Sequence, residues 1–160
     1  MTTGPAPNGD ENQLLHVSYE GASRFSVFTS SPDGRLMPAA VPCKFDDLGG
    51  EMDALLDTGS QYCFMRPDVA KELGLDTACG DREHVWHGDR RYAGVLVRYP
   101  VRIPAVAGQD LLAEPPWFVT EDWDGPMVLG MTGFLAALRA FGCKPGVDPD
   151  EEGSFCFLQA

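Results

Sequence analysis

Short apolar runs separated by turn-forming residues follow one another along most of this chain, a pattern typical of a mainly β domain. The pattern predicts strands at residues 14–19, 24–29, 39–45, 52–56, 62–65, 83–87, 92–103, 111–120 and 154–158. Pro115 and Pro116 interrupt the eighth of these runs, so we expect an edge strand or a bend there.

The hydrophobic period changes at two places, where we expect helices. Residues 67–73 begin with a proline that suits a first helical turn, and Gly74 can end the helix. Residues 132–141 follow later, with Thr132 as a candidate cap and Gly142 as a stop signal. The chain therefore predicts many strands, a short middle helix, a late helix and a terminal strand, which is compatible with a small closed β domain.

The length of 160 residues suits one domain. Residues 1–13 hold neither a basic segment nor an apolar stretch, so we expect a disordered tail before a domain of residues 14–160.

No apolar run approaches the roughly 18–20 residues of a membrane span, and we expect no membrane partner. The net charge of -12 repels polyanions, so we expect no nucleic-acid partner.

The cysteines and histidines give no pattern of metal ligation. The cysteines at positions 43, 63, 79, 143 and 156 are odd in number and form no C-x-x-C pair, which favours reduced thiols in a cytoplasmic protein. His84 and His87 lie three apart, but no third ligand has useful spacing. We expect no metal and no cofactor.

One carboxylate stands where a charge is unusual. Leu55 and Leu56 lead directly into Asp57 at the predicted end of a strand. Thr58 and Ser60 supply hydroxyl groups that can bind a carboxylate or the backbone, and a glycine at position 59 lets another backbone approach closely. This segment is the strongest candidate for chemistry in the chain.

The same segment resembles the Asp-Thr-Gly-Ser signature of the retropepsin-like aspartic proteases. Val128, Leu129 and Gly130, about 70 residues later, resemble the hydrophobic-hydrophobic-glycine segment that this family carries beneath its catalytic loop. The resemblance implies a small closed β-barrel of the acid-protease type, with Asp57, Thr58 and Gly59 as catalytic residues. It gives Ser60, Leu129 and Gly130 a supporting role, and it places the closing strand where the family forms its dimer.

A second chain is implied because the chemistry needs two carboxylates that share a proton. The sequence holds only one Asp-Thr-Gly and no Asp-Ser-Gly. We therefore expect an aspartic endopeptidase in which two Asp57 carboxylates of a homodimer activate water for attack on a peptide or protein substrate. The alternatives are an inactive retropepsin-like binding or dimerisation module, and an unrelated β domain in which this segment is only a turn.

Family members also cover the substrate with a hairpin flap. The best candidate is residues 84–94, with Trp86, His87 and Gly88 near the tip as candidate substrate contacts. The alternative is an ordinary exposed hairpin with its aromatic residues on the core. Arg90 and its neighbours depart from the apolar, glycine-rich tip frequent in the family, so the sequence leaves the substrate preference open.

Overall fold

The computed structural model describes residues 18–27, 39–144 and 152–160. The predicted tail of residues 1–13 and most of the strand expected at 14–19 lie outside these ranges. The strands are β1 (Gly21–Val27), β2 (Ala39–Cys43), β3 (Met52–Leu56), β4 (Cys63–Met65), β5 (Asp81–His87), β6 (Arg90–Arg98), β7 (Val101–Ile103), β8 (Ala107–Gly108), β9 (Leu111–Ala113), β10 (Pro116–Val119), β11 (Met127–Leu129), β12 (Leu138–Lys144) and β13 (Gly153–Gln159). The mainly β class is confirmed.

Most strands form one large sheet. Its order is β12-β13-β1-β2-β3-β11-β4-β10-β6-β5, with β8 paired to β1, while β7 and β9 form a separate pair. The pairs β3–β11 and β4–β10 are parallel, and β11 and β4 pair antiparallel between them. Within the described ranges no ladder joins β12 to β5, so the closed barrel that the resemblance implied is not found.

The predicted middle helix is confirmed as α1 (Pro67–Glu72). Its buried face holds Val69 and Ala70, and Gly74 follows with a φ of 66°, the left-handed conformation that glycine adopts without strain. The part of the chain that the structure describes has no helix long and apolar enough to cross a membrane.

The predicted helix at residues 132–141 is wrong. Gly133 has a φ of 79°, which is incompatible with a right-handed helix, and only a 3-10 turn forms at Leu135–Ala137. From Leu138 onward the chain pairs with β13 as β12. Hydrogen bonding to a neighbouring strand has overridden the local helical pattern.

The terminal strand β13 lies inside the sheet, between β1 and β12. Both of its hydrogen-bonding edges are therefore occupied within one chain. The outermost strand at this end of the sheet is β12. In the described part of the chain the open edge here therefore belongs to β12, and not to β13, the terminal strand that was expected to form the dimer.

Candidate active site

Asp57 is placed by the alternation of β3. Ala54 is fully buried, and Leu56 packs against the main core on the same face. Leu55 and Asp57 project on the opposite face, and both are only half-buried. The strand is therefore anchored by one face and carries its terminal carboxylate on the other.

The loop after β3 is held by short hydrogen bonds. The backbone N–H of Asp57 donates to the carbonyl oxygen of Leu129 at 3.1 Å, which extends the β3–β11 ladder by one residue. The N–H of Gly59 donates to Oδ1 of Asp57 at 2.9 Å, and the N–H of Ser60 donates to the Asp57 carbonyl oxygen at 3.2 Å. The carboxylate is thus fixed at one oxygen by its own loop.

Ser60 supports the loop rather than the carboxylate. Its side chain is buried, and its hydroxyl donates to the carbonyl oxygen of Tyr62 at 2.8 Å. Its own carbonyl oxygen accepts the N–H of Met131 at 2.8 Å, and the N–H of Thr132 binds the Gln61 carbonyl oxygen at the same distance. The loop that carries Asp57 and the segment after β11 are therefore bound to each other directly.

Gly130 is required by this contact. A β-carbon at Gly130 would lie 2.2 Å from the carbonyl oxygen of Tyr62 and 2.8 Å from that of Ser60. Both are backbone atoms that cannot turn aside, so a residue without a side chain is needed. Leu129, immediately before, is fully buried. The structure thus brings both supporting residues predicted from the second motif to the loop that holds Asp57.

The candidate hairpin consists of β5 and β6 joined by Gly88 and Asp89. Gly88 has a φ of 63°, as the first central residue of a type II′ turn requires. The side chains of Val85 and Tyr92, a cross-strand pair, are buried. Trp86 lies on the other face and is 67% exposed.

The hairpin bends back over the sheet. The ring of His87, next to the turn, lies 5.2 Å from the ring of Phe64 and 5.0 Å from that of Trp123. In the strand register, however, Phe64 is aligned with Leu96 of β6, six positions beyond Arg90. A straight ribbon would carry the tip roughly 20 Å away over that length. Contact between His87 and Phe64 therefore requires the tip to curl towards Phe64.

The tip curls over the same face that carries Asp57. Residues that are directly opposite in neighbouring strands point to one face of a sheet. One such row runs across the sheet from β3 to β6, and it comprises Leu55, Val128, Phe64, Phe118 and Leu96. Asp57 shares the face of Leu55, so Asp57 and the inner face of the hairpin border one surface.

Comparison with known families agrees with this geometry. A family model described as "Aspartyl protease" matches residues 41–132, which is more than half of the chain. The chain belongs to the aspartyl protease family. This match confirms the resemblance predicted from the two motifs.

A similar fold occurs in a solved structure. The crystal structure of a retropepsin-like aspartic protease from Rickettsia conorii aligns with a TM-score of 0.49 and 16% sequence identity, covering 91% of this chain and 99% of that chain. Among curated proteins no relative matches.

The geometry leaves the aspartyl protease motif half complete in one chain. Thr58 and Gly59 are exposed, Asp57 is half-buried, and the hydroxyl of Thr58 has no hydrogen-bond partner within the described ranges. A single ionised carboxylate can accept a proton from water, but it cannot also donate one to the substrate carbonyl. Within the described ranges this loop supplies one carboxylate, that of Asp57.

The buried thiol of Cys63 near the loop is not suited to nucleophilic chemistry. Burial raises the pKa of Cys63, below the loop, to about 12, which keeps it a thiol. Among the described residues no three histidine, cysteine, aspartate or glutamate side chains cluster as metal ligands.

Sequence reasoning did not place several residues of this surface beside Asp57, although Leu55 and Val128 belong to its two motifs. Leu55, Phe64 and Val128 form the row beside Asp57, and Tyr62 packs against the aromatic cluster that His87 touches. The alternation from position 53 to position 57 could have placed Leu55 on the face of Asp57. The row across β11 and β4 could not be found in the same way, because it depends on strand register.

Proposed function

We propose that this chain is an aspartic endopeptidase that acts as a homodimer, with Asp57 of each copy forming the catalytic pair. The observation that supports this most is the position of Asp57. It is held at one oxygen by the Gly59 N–H, lies at the exposed end of β3 and belongs to the part matched by the family model. A peptide or protein is the substrate.

In the proposed mechanism, the two carboxylates share one proton because two like charges this close cannot both ionise. The ionised carboxylate takes a proton from water, and the oxygen of that water attacks the carbonyl carbon of the peptide bond. The protonated carboxyl donates its proton to the carbonyl oxygen, which gives a tetrahedral diol. The carbon–nitrogen bond then breaks as the nitrogen takes the proton that the first carboxylate removed from water, and one hydroxyl of the diol returns a proton to the other carboxylate. The rate should then rise and fall with pH between two apparent pKa values that belong to the pair.

The outer edge of β12 is where we propose that the two copies meet. Both edges of β13 are occupied, whereas β12 ends the sheet in the described part of the chain. This strand carries Arg139 and Lys144 and no acidic residue, although the whole chain has a net charge of -12. Its exposed Phe141 offers apolar surface.

Antiparallel pairing about Phe141 would satisfy the two-fold symmetry of a dimer. It would place Phe141 against its symmetry mate and Arg139 opposite Cys143, so that no two cations face each other. One symmetry axis would then have to relate both the strands and the two Asp57 side chains.

A cytoplasmic location remains a prediction from the cysteines.

The decisive experiment compares the wild type with Asp57→Asn. Asp53→Asn is a matched control, because it makes the same change at an exposed position of the same strand. Each protein is incubated with a peptide library across about pH 3 to 8, and products are identified by mass spectrometry. Sedimentation velocity at the same concentration reports the dimer.

We expect Asp57→Asn to lower cleavage by at least about a thousandfold without loss of the dimer, while Asp53→Asn cleaves normally. A wild type that is dimeric but cleaves nothing would overturn the protease function and favour a binding module. Equal cleavage by wild type and Asp57→Asn would show that another protein in the preparation is the protease.

A further inference from the structure

We infer that Arg90 is a specificity-determining residue that selects peptides with an acidic side chain near the cleaved bond. The inference rests on the proposed function and adds a substrate class to it. It depends on which face of the hairpin Arg90 occupies, on what holds its side chain, and on the charge around it.

Arg90 lies on the inner face of the hairpin tip. It is the cross-strand partner of His87, whose ring packs on Phe64 and Trp123. Residues that are directly opposite in a hairpin share a face, and Arg91 is therefore on the outer face with its partner Trp86. Of these two neighbouring arginines, it is Arg90 that is directed to the surface that Asp57 also borders.

The side chain of Arg90 is positioned but keeps its hydrogen-bonding capacity. Its Cζ atom lies 4.8 Å from the centroid of the Tyr92 ring, a cation–π contact with a buried side chain. No carboxylate of the described residues pairs with it. A planar guanidinium held in this way can donate two parallel hydrogen bonds to one carboxylate, in a bidentate pair.

The negative charge of the rest of the chain increases the influence of the Arg90 guanidinium on which peptides bind. The chain carries -12, so an acidic peptide is repelled over most of the surface. The rings of Phe64 and Trp123 pack against Tyr92, so no carboxylate in the described part of the chain lies between Tyr92 and these rings. Asp81 and Glu83 share the inner face, but they lie towards the base of the hairpin, opposite Leu96 and Gly94, six and four positions from Arg90. Arg90 therefore places a cation at the hairpin tip, on the face of the sheet that Asp57 also borders.

The test uses peptides that the wild type is found to cleave, resynthesised with Glu, Gln or Lys at each position flanking the cleaved bond. The variants are Arg90→Gln and, as matched control, Arg91→Gln on the outer face of the same hairpin. At one position we expect the wild type to prefer Glu over Lys by about three- to tenfold in kcat/KM. Arg90→Gln should remove this preference, Arg91→Gln should retain it, and about 1 M salt should weaken it.

Binding of the same labelled peptides to Asp57→Asn and to Asp57→Asn/Arg90→Gln, followed by fluorescence anisotropy, separates specificity from catalysis. Cleavage by the wild type without a Glu preference, or a preference lost equally in Arg91→Gln, would overturn the role of Arg90 and leave the protease function intact. If the wild type cleaves nothing, the binding experiment uses members of the peptide library resynthesised with Glu, Gln or Lys at one position. A Glu preference in binding that needs Arg90 then still supports the selection. A wild type that neither cleaves nor binds any of the peptides would contradict both proposals.

Discussion

The carbonyl oxygen of Tyr62 lies 2.2 Å from the point where a β-carbon on Gly130 would stand. The segment after β11 therefore passes against the backbone of the loop that carries Asp57, with no room for a side chain. This close approach links two segments that are about 70 residues apart in the chain.

Gly130→Ala should destabilise the protein because the added carbon overlaps two backbone carbonyl oxygens. We expect a loss of about 1–3 kcal/mol in the free energy of unfolding, measured by denaturant titration. Gly49→Ala is the control, since nothing lies within 4 Å of a β-carbon there. Equal stability of the two variants would show that the loop can move away at no cost.

His87→Ala should loosen the hairpin because the ring contacts with Phe64 and Trp123 are lost. We expect about 1–2 kcal/mol of destabilisation and faster hydrogen exchange in β5 and β6. Trp86→Ala, a larger truncation at the neighbouring but exposed position, should change stability by less than about 0.5 kcal/mol. The reverse order would mean that the hairpin packs through its other face.

Asp76→Asn should make Cys79 more reactive. The hydrogen bond from the Cys79 thiol to Asp76, together with the negative charge of that carboxylate, raises the pKa of the thiol above its ordinary value. Removing the charge lowers this pKa, so more thiolate is present near pH 8 and alkylation is faster. Peptide mass spectrometry measures labelling at Cys79, with the exposed Cys143 as internal reference. An unchanged ratio of the two rates would contradict the effect of Asp76.

Phe141→Lys should weaken the dimer because it places a charge at the proposed centre of the β12 contact. We expect at least about a tenfold rise in the dissociation constant, measured by sedimentation equilibrium. Leu112→Lys introduces the same charge at another exposed apolar position, 57% exposed, and should leave the constant unchanged. Similar weakening by both changes would indicate a different interface.

Salt and mildly acidic pH should tighten the dimer. Association brings together two chains that each carry -12, and the negative charge of each chain raises the pKa of carboxylates on the other. A dimer that binds protons more strongly than its monomers is favoured as the pH falls. Sedimentation at about pH 5 and pH 8, each at low and high salt, measures this, and identical dissociation constants would refute it.

Much of the candidate site could be predicted from local sequence. Short sequence motifs identified both Asp57, which follows two leucines, and the glycine at position 130, which follows two apolar residues. The late helix was predicted wrongly at residues 132–141. Gly133 is left-handed and Leu138 begins a strand, because pairing with β13 outweighs a weak local preference.

The curl of the hairpin could not be predicted in this way. It depends on contact between His87 and Phe64, residues whose strands are separated in the sheet by β10 and β6. The hydrophobic pattern of β5 and β6 does not predict which distant ring the hairpin tip contacts.

The sequence by itself determined the β class, the resemblance to aspartic proteases and the candidate Asp57, because alternation and short motifs are properties of neighbouring residues. Only the tertiary structure decided that β13 is enclosed between β1 and β12, and that Arg90 rather than Arg91 shares the face bordered by Asp57. Strand order and register arise from hydrogen bonds between residues far apart in the chain, and these bonds decide which side chains come to share a surface.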